Sequence, residues 1–266
     1  ENIVVEYVNV DAFGNVDVLH LEKLLKVSKV KTLVSLMMIN NEIGNLLSVH
    51  EIANVCKLNN ALFHSDTVQV IGHYKIDLQT TMIDFMVASA HKFHGPKGVG
   101  FAFFRKGFGI VPMLHGGGQE KGARSSTENV HAILGMEKAL EIAHNTLEED
   151  KIHIENLKIY FITELKKISK DFQFNGHSGD LEKSSYTILS VRFPTQNEML
   201  LFSLDLAGIA VSGGSACQSG SNKGSHVLSE ILKDGEEDKT SIRFSFCKFT
   251  KKEDIDCTIL KLKELF

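Results

Sequence analysis

Short apolar runs alternate with amphipathic stretches through the first hundred residues, and this rhythm constrains the fold more than any other feature. Strand-like runs at 3–8, 32–39, 61–65, 83–88 and 99–104 are interleaved with helical patterns at 18–27 and 48–60. Such interleaving predicts an α/β domain. In open α/β sheets, ligands gather beyond the carboxyl ends of the strands. The segments ending in Asn40-Asn41, in Asp66 and in Ser89–Lys92 are therefore candidates for one crevice.

The pattern changes after a loop at 115–126. A long helical stretch from about Thr127 to Ser169 is expected in more than one piece, with a break near Thr146–Asp150. A strand at 186–193, a helix at 197–206, a Gly/Ser-rich loop at 212–224, a short helix, a strand at 240–246 and a terminal helix follow. This second block reads as a smaller α+β domain, and the boundary is expected between residues 1–140 and 141–266. No internal repeat or low-complexity tract interrupts either block.

Bulk composition removes several functions. Of 266 residues, 43% are hydrophobic and 23% charged, which suits a packed globular chain and argues against disorder. Lysine and arginine total 29 against 33 acids, a formal charge of −4, and no basic block offers itself to a nucleic-acid backbone. The longest apolar runs, such as Val34–Ile39 and Val99–Phe104, are too short to cross a bilayer, and no signal-peptide pattern opens the chain, so a cytoplasmic protein is expected. Cys56, Cys217, Cys247 and Cys257 show neither metal-ligand spacing nor a small-domain disulfide pattern, and reduced thiols follow. The chain starts at Glu1 rather than methionine and runs at once into a strand-like segment, from which an absent upstream segment is expected.

Six segments carry side chains with chemical potential. The first is Ser89-Ala90-His91-Lys92-Phe93-His94-Gly95-Pro96-Lys97-Gly98, where a lysine sits between a buried strand and a glycine-proline turn that ends it. A partly desolvated amine beside a second cationic group such as His91 could form a Schiff base with an aldehyde; an ordinary loop lysine is the alternative. The second is His64-Ser65-Asp66-Thr67-Val68-Gln69. A carboxylate there suits a pyridinium nitrogen and an amide three positions on suits a ring oxygen, while a helix cap and a solvated amide are the commoner roles. The third is Asn40-Asn41, either a turn or a donor to a cofactor oxygen and a substrate carboxylate.

The fourth segment, His115-Gly116-Gly117-Gly118-Gln119-Glu120 through Arg124-Ser125-Ser126-Thr127, places backbone N–H groups and a threonine at an expected helix start, where an anion can bind. A flexible hinge with a capping threonine is the other reading. The fifth, Ser212-Gly213-Gly214-Ser215-Ala216-Cys217, sets one thiol among small residues, which favours an accessible and reactive cysteine. Cys56, in an apolar helix, reads as inert core, and Cys247 and Cys257 are expected to pack. The sixth is Arg243 in the apolar strand Ser241–Phe246, able to grip a carboxylate bidentately or to form a surface ion pair.

Together these segments, in this order, resemble the cysteine desulfurases, pyridoxal-phosphate enzymes of the class V aminotransferase group; Gly116–Glu120 and Ser225-His226-Val227-Leu228 add to the match. The resemblance implies a fold-type-I large domain, incomplete at its N-terminus, in residues 1–140, and a smaller domain carrying a persulfide cysteine in 141–266. It implies that Lys92 carries pyridoxal 5'-phosphate, with Asp66 at the ring nitrogen, Gln69 near the phenolic oxygen, Ser89 at the phosphate and His91 beside the ring. Asn41 is assigned to cofactor and substrate, Arg243 to the substrate carboxylate, and Thr127 to the phosphate of a neighbouring subunit, which makes a homodimer. Cys217 would take sulfur from L-cysteine, leaving alanine, and pass it to an iron–sulfur scaffold or another acceptor. Selenocysteine lyase, aminotransferase, or a catalytically silent dimerisation or scaffold-binding homologue are the competing readings. The family's N-terminal phosphate turn and stacking histidine have no counterpart here, so this chain alone is expected to bind cofactor poorly and to show little activity. Ser126 stands where the family usually has glycine.

Overall fold

Asp17 sets the first helix. Its Oδ1 accepts the His20 N–H at 2.9 Å, satisfying a donor that the first turn of a helix leaves open. Helix α1 (Val18–Val27) follows, with Leu21 and Leu25 buried one turn apart. The computed structural model describes residues 3–197, 199–213 and 224–266. Within them the chain forms two compact units, one of residues 28–38 and 49–147, the other of residues 1–27, 39–48 and 148–266.

The first unit is built on a four-stranded sheet of β1 (Leu33–Met37), β2 (Leu62–Asp66), β3 (Phe85–Ser89) and β4 (Gly100–Phe104), hydrogen-bonded in that order. The β1–β2 and β2–β3 pairs are parallel, and β4 returns antiparallel to β3. Helix α2 (Val49–Leu58) makes the crossover before β2, burying Ile52, Ala53 and Cys56. The parallel strands thus present their carboxyl ends, Asp66 and Ser89, on the same edge. Asp84 fixes the start of β3 by accepting the Phe63 N–H at 2.8 Å. Arg105, just past β4 and beside Asp84 at the same open end of the hairpin, donates to the carbonyls of Ile83, Leu78 and Thr81.

Helix α3 (Val130–Ile168) runs unbroken for 39 residues, against the expected break near Thr146–Asp150. The polar run there contains neither glycine nor proline, and the Thr146 hydroxyl bonds the Ile142 carbonyl, so nothing stops the helix. The division between units falls at Leu147–Glu148 within this helix, and segments 1–27 and 39–48 pack with the C-terminal part. The boundary expected from the sequence, 140/141, lies within the same helix.

The second unit holds a three-stranded antiparallel sheet, β5 (Gln173–Phe174), β6 (Ile188–Arg192) and β7 (Ser241–Ser245), in that order. Helices α4 (Leu200–Leu206), α5 (His226–Ile231) and α6 (Lys252–Leu265) belong to it. Phe161 of α3 meets Phe244 of β7 edge-on at 4.9 Å. The strand expected at 3–8 is absent: Ile3, Val4, Val5 and Tyr7 are exposed, and pairing begins only with an isolated bridge between Val10 and Val16. An apolar run makes a strand only where a neighbour accepts its hydrogen bonds. Cys257 is exposed on α6 and not packed as expected, whereas Cys56 is buried, and burial, aided by the nearby Asp84 charge, pushes its thiol up to about 11.

Candidate active site

In the parallel-sheet unit, β3 ends at Ser89 and the chain turns at once into a 3-10 turn, Ala90–Phe93. His94 follows in the left-handed region at φ 65°, and the Gly95 N–H returns to the Ala90 carbonyl at 2.8 Å. A Cβ on Gly95 would meet Ala90 at 2.9 Å, so a glycine is required for this tight return. Ala90 and Phe93 point inward and are buried, which leaves His91 and Lys92 exposed on the other side. Lys92 is exposed where the sequence reading has it partly desolvated. The Ser89 hydroxyl makes no cap to this turn.

Asp66 ends the neighbouring strand, with Val87 as its register partner. The fully buried Thr67 locks the chain beyond it to β3, donating through Oγ1 to the Val87 carbonyl at 2.7 Å. Asp66 Oδ1 accepts the Val68 N–H at 2.9 Å, so the carboxylate does shape the turn. The turn continues with Val70 and Ile71 N–H groups on the Thr67 carbonyl, which places half-buried Gln69 one turn beyond Asp66. Sequence reasoning passes over His73, whose Nε2 donates to the Lys92 carbonyl at 3.0 Å. Only the fold brings these two together.

Thr127 is exposed and lies ahead of α3, so it is not the helix start expected of it. Asn129 takes that place, its side-chain oxygen accepting the Ala132 N–H at 3.3 Å. Just before, Ser126 holds φ 95°, in the left-handed region that glycine adopts without a steric penalty. The departure at Ser126 thus has a visible backbone consequence. The preceding Ser125 is buried and donates to the Gly117 carbonyl at 2.9 Å, folding the glycine run back on itself.

The antiparallel-sheet unit holds Asn41 and Arg243. Asn40 builds the turn, its Oδ1 accepting the N–H groups of Glu42 and Ile43 at 2.8 and 3.0 Å. Asn41 presents its carbonyl to Arg243 Nη1 at 2.6 Å, so the two residues meet directly. Beneath this turn, the fully buried Lys158 donates to Ser184 Oγ at 3.0 Å and the Ser185 carbonyl at 2.7 Å, and the Ser185 N–H in turn reaches the Gly44 carbonyl. Burial pushes the Lys158 ammonium down to about 7, against the opposing pull of Asp180 and Glu155. Cys217 and the surrounding loop at 214–223 lie outside the described residues.

A lysine amine beyond one parallel strand, with a carboxylate and an amide beyond the next and a hydroxyl between, is the donor set that pyridoxal phosphate requires. The residues present fit that group. The chain has the fold-type-I architecture of the pyridoxal-phosphate-dependent transferases. It matches the Aminotransferase class-V family over residues 1–257 and belongs to that family, whose cofactor is pyridoxal phosphate. It is 39% identical over 264 residues to a cysteine desulfurase IscS of Dictyoglomus turgidum, across 98% of this chain and 65% of that relative. A cysteine desulfurase IscS of Clostridium botulinum is 37% identical over 265 residues, across 100% and 66%. Among solved structures, a NifS-like protein from Rickettsia africae aligns with TM-score 0.88 and 34% identity over 97% of this chain and 68% of its own. The chain thus spans 65–66% of the length of these two curated relatives.

Proposed function

We propose that the protein to which this chain belongs is a cysteine desulfurase, converting L-cysteine to L-alanine with transfer of sulfur to Cys217. The observation that carries this reading is Lys92 on the turn after β3, beside a strand that ends at Asp66. Pyridoxal phosphate, when bound, supplies an electron sink conjugated to the substrate carbon. Lys92 is proposed to bond the cofactor and then, as a free amine, to carry the substrate's α-proton. Asp66 keeps the ring nitrogen protonated, Gln69 donates to the ring oxygen, Ser89 and Thr127 bind phosphate, Thr127 across a homodimer, and His91 packs beside the ring. Arg243 takes the substrate carboxylate, with Asn41 beside it on substrate and cofactor. The cofactor-facing residues Asp66, Gln69, Ser89, His91, Lys92 and Thr127 fall within 1–140, and the thiol and carboxylate-binding residues Cys217 and Arg243 within 141–266.

In the sulfur step the Cys217 thiolate attacks the substrate sulfur. The new S–S bond forms as the S–Cβ bond breaks, the electron pair stays with the carbon fragment, and protonation of that carbon yields alanine. One substrate thiol and one enzyme thiol give one persulfide and one alanine, with no external oxidant. The relatives named cysteine desulfurase IscS support this chemistry. Their name also supports an iron–sulfur scaffold as acceptor, and the proposed location is the cytoplasm, where thiols stay reduced. No described helix is long and apolar enough to cross a membrane.

Borohydride treatment of the full-length protein loaded with pyridoxal phosphate, followed by peptide mapping, tests the reading. A pyridoxyl label on Lys92 and alanine release from L-cysteine are expected. Absence of the label would favour a catalytically silent homologue; alanine production intact in Cys217→Ser would favour lyase chemistry of the selenocysteine lyase kind, and loss of the amino group with the C–S bond intact would favour an aminotransferase.

A further inference from the structure

Glu42 is not among the site residues proposed above, yet it is the one buried carboxylate among the described residues. It is only 3% exposed. One oxygen, Oε2, accepts the Ser225 hydroxyl at 2.5 Å. The other, Oε1, is buried with no hydrogen-bond partner among the described residues. Glu42 lines a cavity of about 10 Å³ shared with Ser190, Leu228, Ser241 and Arg243. A buried carboxylate with one oxygen unpaired is costly, so its one side-chain bond, to Ser225, is the contact that compensates it.

Ser225 is a junction. Its hydroxyl caps α5, accepting the Leu228 N–H at 3.0 Å, while its proton goes to Glu42. Both capacities of the hydroxyl are therefore used. An apolar contact reinforces the polar one, since Ile43, next to Glu42, packs with Ile231 and Leu232, and Val227 and Leu228 lie against them. At the other end of the cysteine-bearing segment, Ser212 pairs with the backbone of Arg243 in both directions, at 2.7 and 3.2 Å. Arg243 then donates to the carbonyl of Asn41, the residue before Glu42. Ser212, Arg243, Asn41, Glu42 and Ser225 thus form a continuous series of links that runs from Ser212 to Ser225, the residues flanking 213–224.

We propose that Glu42 is a positioning residue for sulfur transfer: it holds Ser225 while Arg243 holds Ser212, and so fixes both ends of the segment carrying Cys217 to the turn that carries Asn41. The proposal rests on the desulfurase reading. It makes no contact between Glu42 and substrate; Glu42 acts through Ser225.

The test uses the full-length protein loaded with pyridoxal phosphate and the variants Glu42→Ala, Glu42→Gln, Ser225→Ala and the Glu42→Ala/Ser225→Ala pair. Persulfide formation on Cys217 in a single turnover is expected to slow about tenfold in each alanine variant, with KM for L-cysteine within about threefold. The pair is expected to be no slower than either single change, because both cut one link. Glu42→Gln, whose amide oxygen still accepts from Ser225, is expected to recover most of the rate. Hydrogen exchange of the Leu228 amide is expected to quicken in Glu42→Ala, a readout that needs no turnover. Wild-type persulfide formation in Glu42→Ala, multiplying effects in the pair, or loss of borohydride labelling at Lys92 in these variants would overturn the proposal. If the wild-type protein itself forms no persulfide, the desulfurase reading fails, while Leu228 exchange still reports whether Glu42 holds Ser225. Should Glu42→Ala not fold, Glu42→Gln and Ser225→Ala carry the same comparison.

Discussion

The Ser89–Lys92 turn and the Asn40–Gly44 turn both carry proposed site residues, but they use their side chains in opposite ways. In the first, His91 and Lys92 are exposed and the Ser89 hydroxyl does not cap the turn, whose shape rests on its own backbone and on His73 reaching the Lys92 carbonyl from outside it. In the second, Asn40, Glu42 and Arg243 have side-chain bonds to the protein itself, with Lys158 beneath them. A strand end followed by a glycine-tight return leaves functional groups with their hydrogen-bonding capacity intact for a ligand. A buried polar network makes its own geometry and depends on every member being present. Substitutions should accordingly cost chemistry in the first region and positioning in the second.

The largest expected effect tests that contrast on the lysine side. Lys92→Ala should lower alanine release from L-cysteine by about a thousandfold or more, as loss of a covalent catalyst does, while leaving the thermal midpoint nearly unchanged because the side chain is exposed. A large drop in stability would mean the lysine turn is structural after all. Next is Cys217→Ser, expected to abolish persulfide formation, measured by alkylation and mass spectrometry, with the Lys92 label retained. Arg243→Lys should raise KM for L-cysteine about tenfold with a smaller change in kcat, because lysine keeps the charge but loses the planar fork.

Lys158 sharpens the comparison from beneath the second turn. Its folded value of about 7 lies below the ordinary 10.5, so between those limits the unfolded chain binds more protons than the folded one. Stability should rise with pH through this window, and the burden of charging Lys158 should be fully present below pH 7. In Lys158→Met this component of the slope should vanish, which chemical denaturation at a series of pH values would reveal. The smallest effect is expected at Ser126→Gly, where removing the side chain at φ 95° should stabilise by about 1 kcal/mol in the same assay.

How much of this was legible in the sequence follows from the same contrast. The lysine turn is local: an apolar run, a lysine and Gly95-Pro96 suffice to end β3 where it ends, and Asp66 closes β2 by the same logic. The arginine turn is not local, since Arg243 and Asn41 meet across 202 positions of chain and neither segment announces the other. Family resemblance supplied their roles, but not Glu42, His73 or Lys158, whose significance lies in partners rather than in motif. The missed features have physical causes as well. Residues 3–8 are a strand-like apolar run but find no strand neighbour among the described residues, α3 crosses a polar run that lacks any breaker, and Asn129 displaces Thr127 as the cap because its amide oxygen reaches Ala132.

The central claim is that the lysine region and the thiol segment serve one reaction, and following the sulfur atom tests it most directly. The full-length protein, loaded with pyridoxal phosphate and given a single turnover of isotopically labelled L-cysteine, should carry the label on Cys217 with one alanine released for each sulfur retained. Alanine formed without labelled sulfur on Cys217, or cysteine returned unchanged by a protein whose Lys92 holds the cofactor, would contradict it.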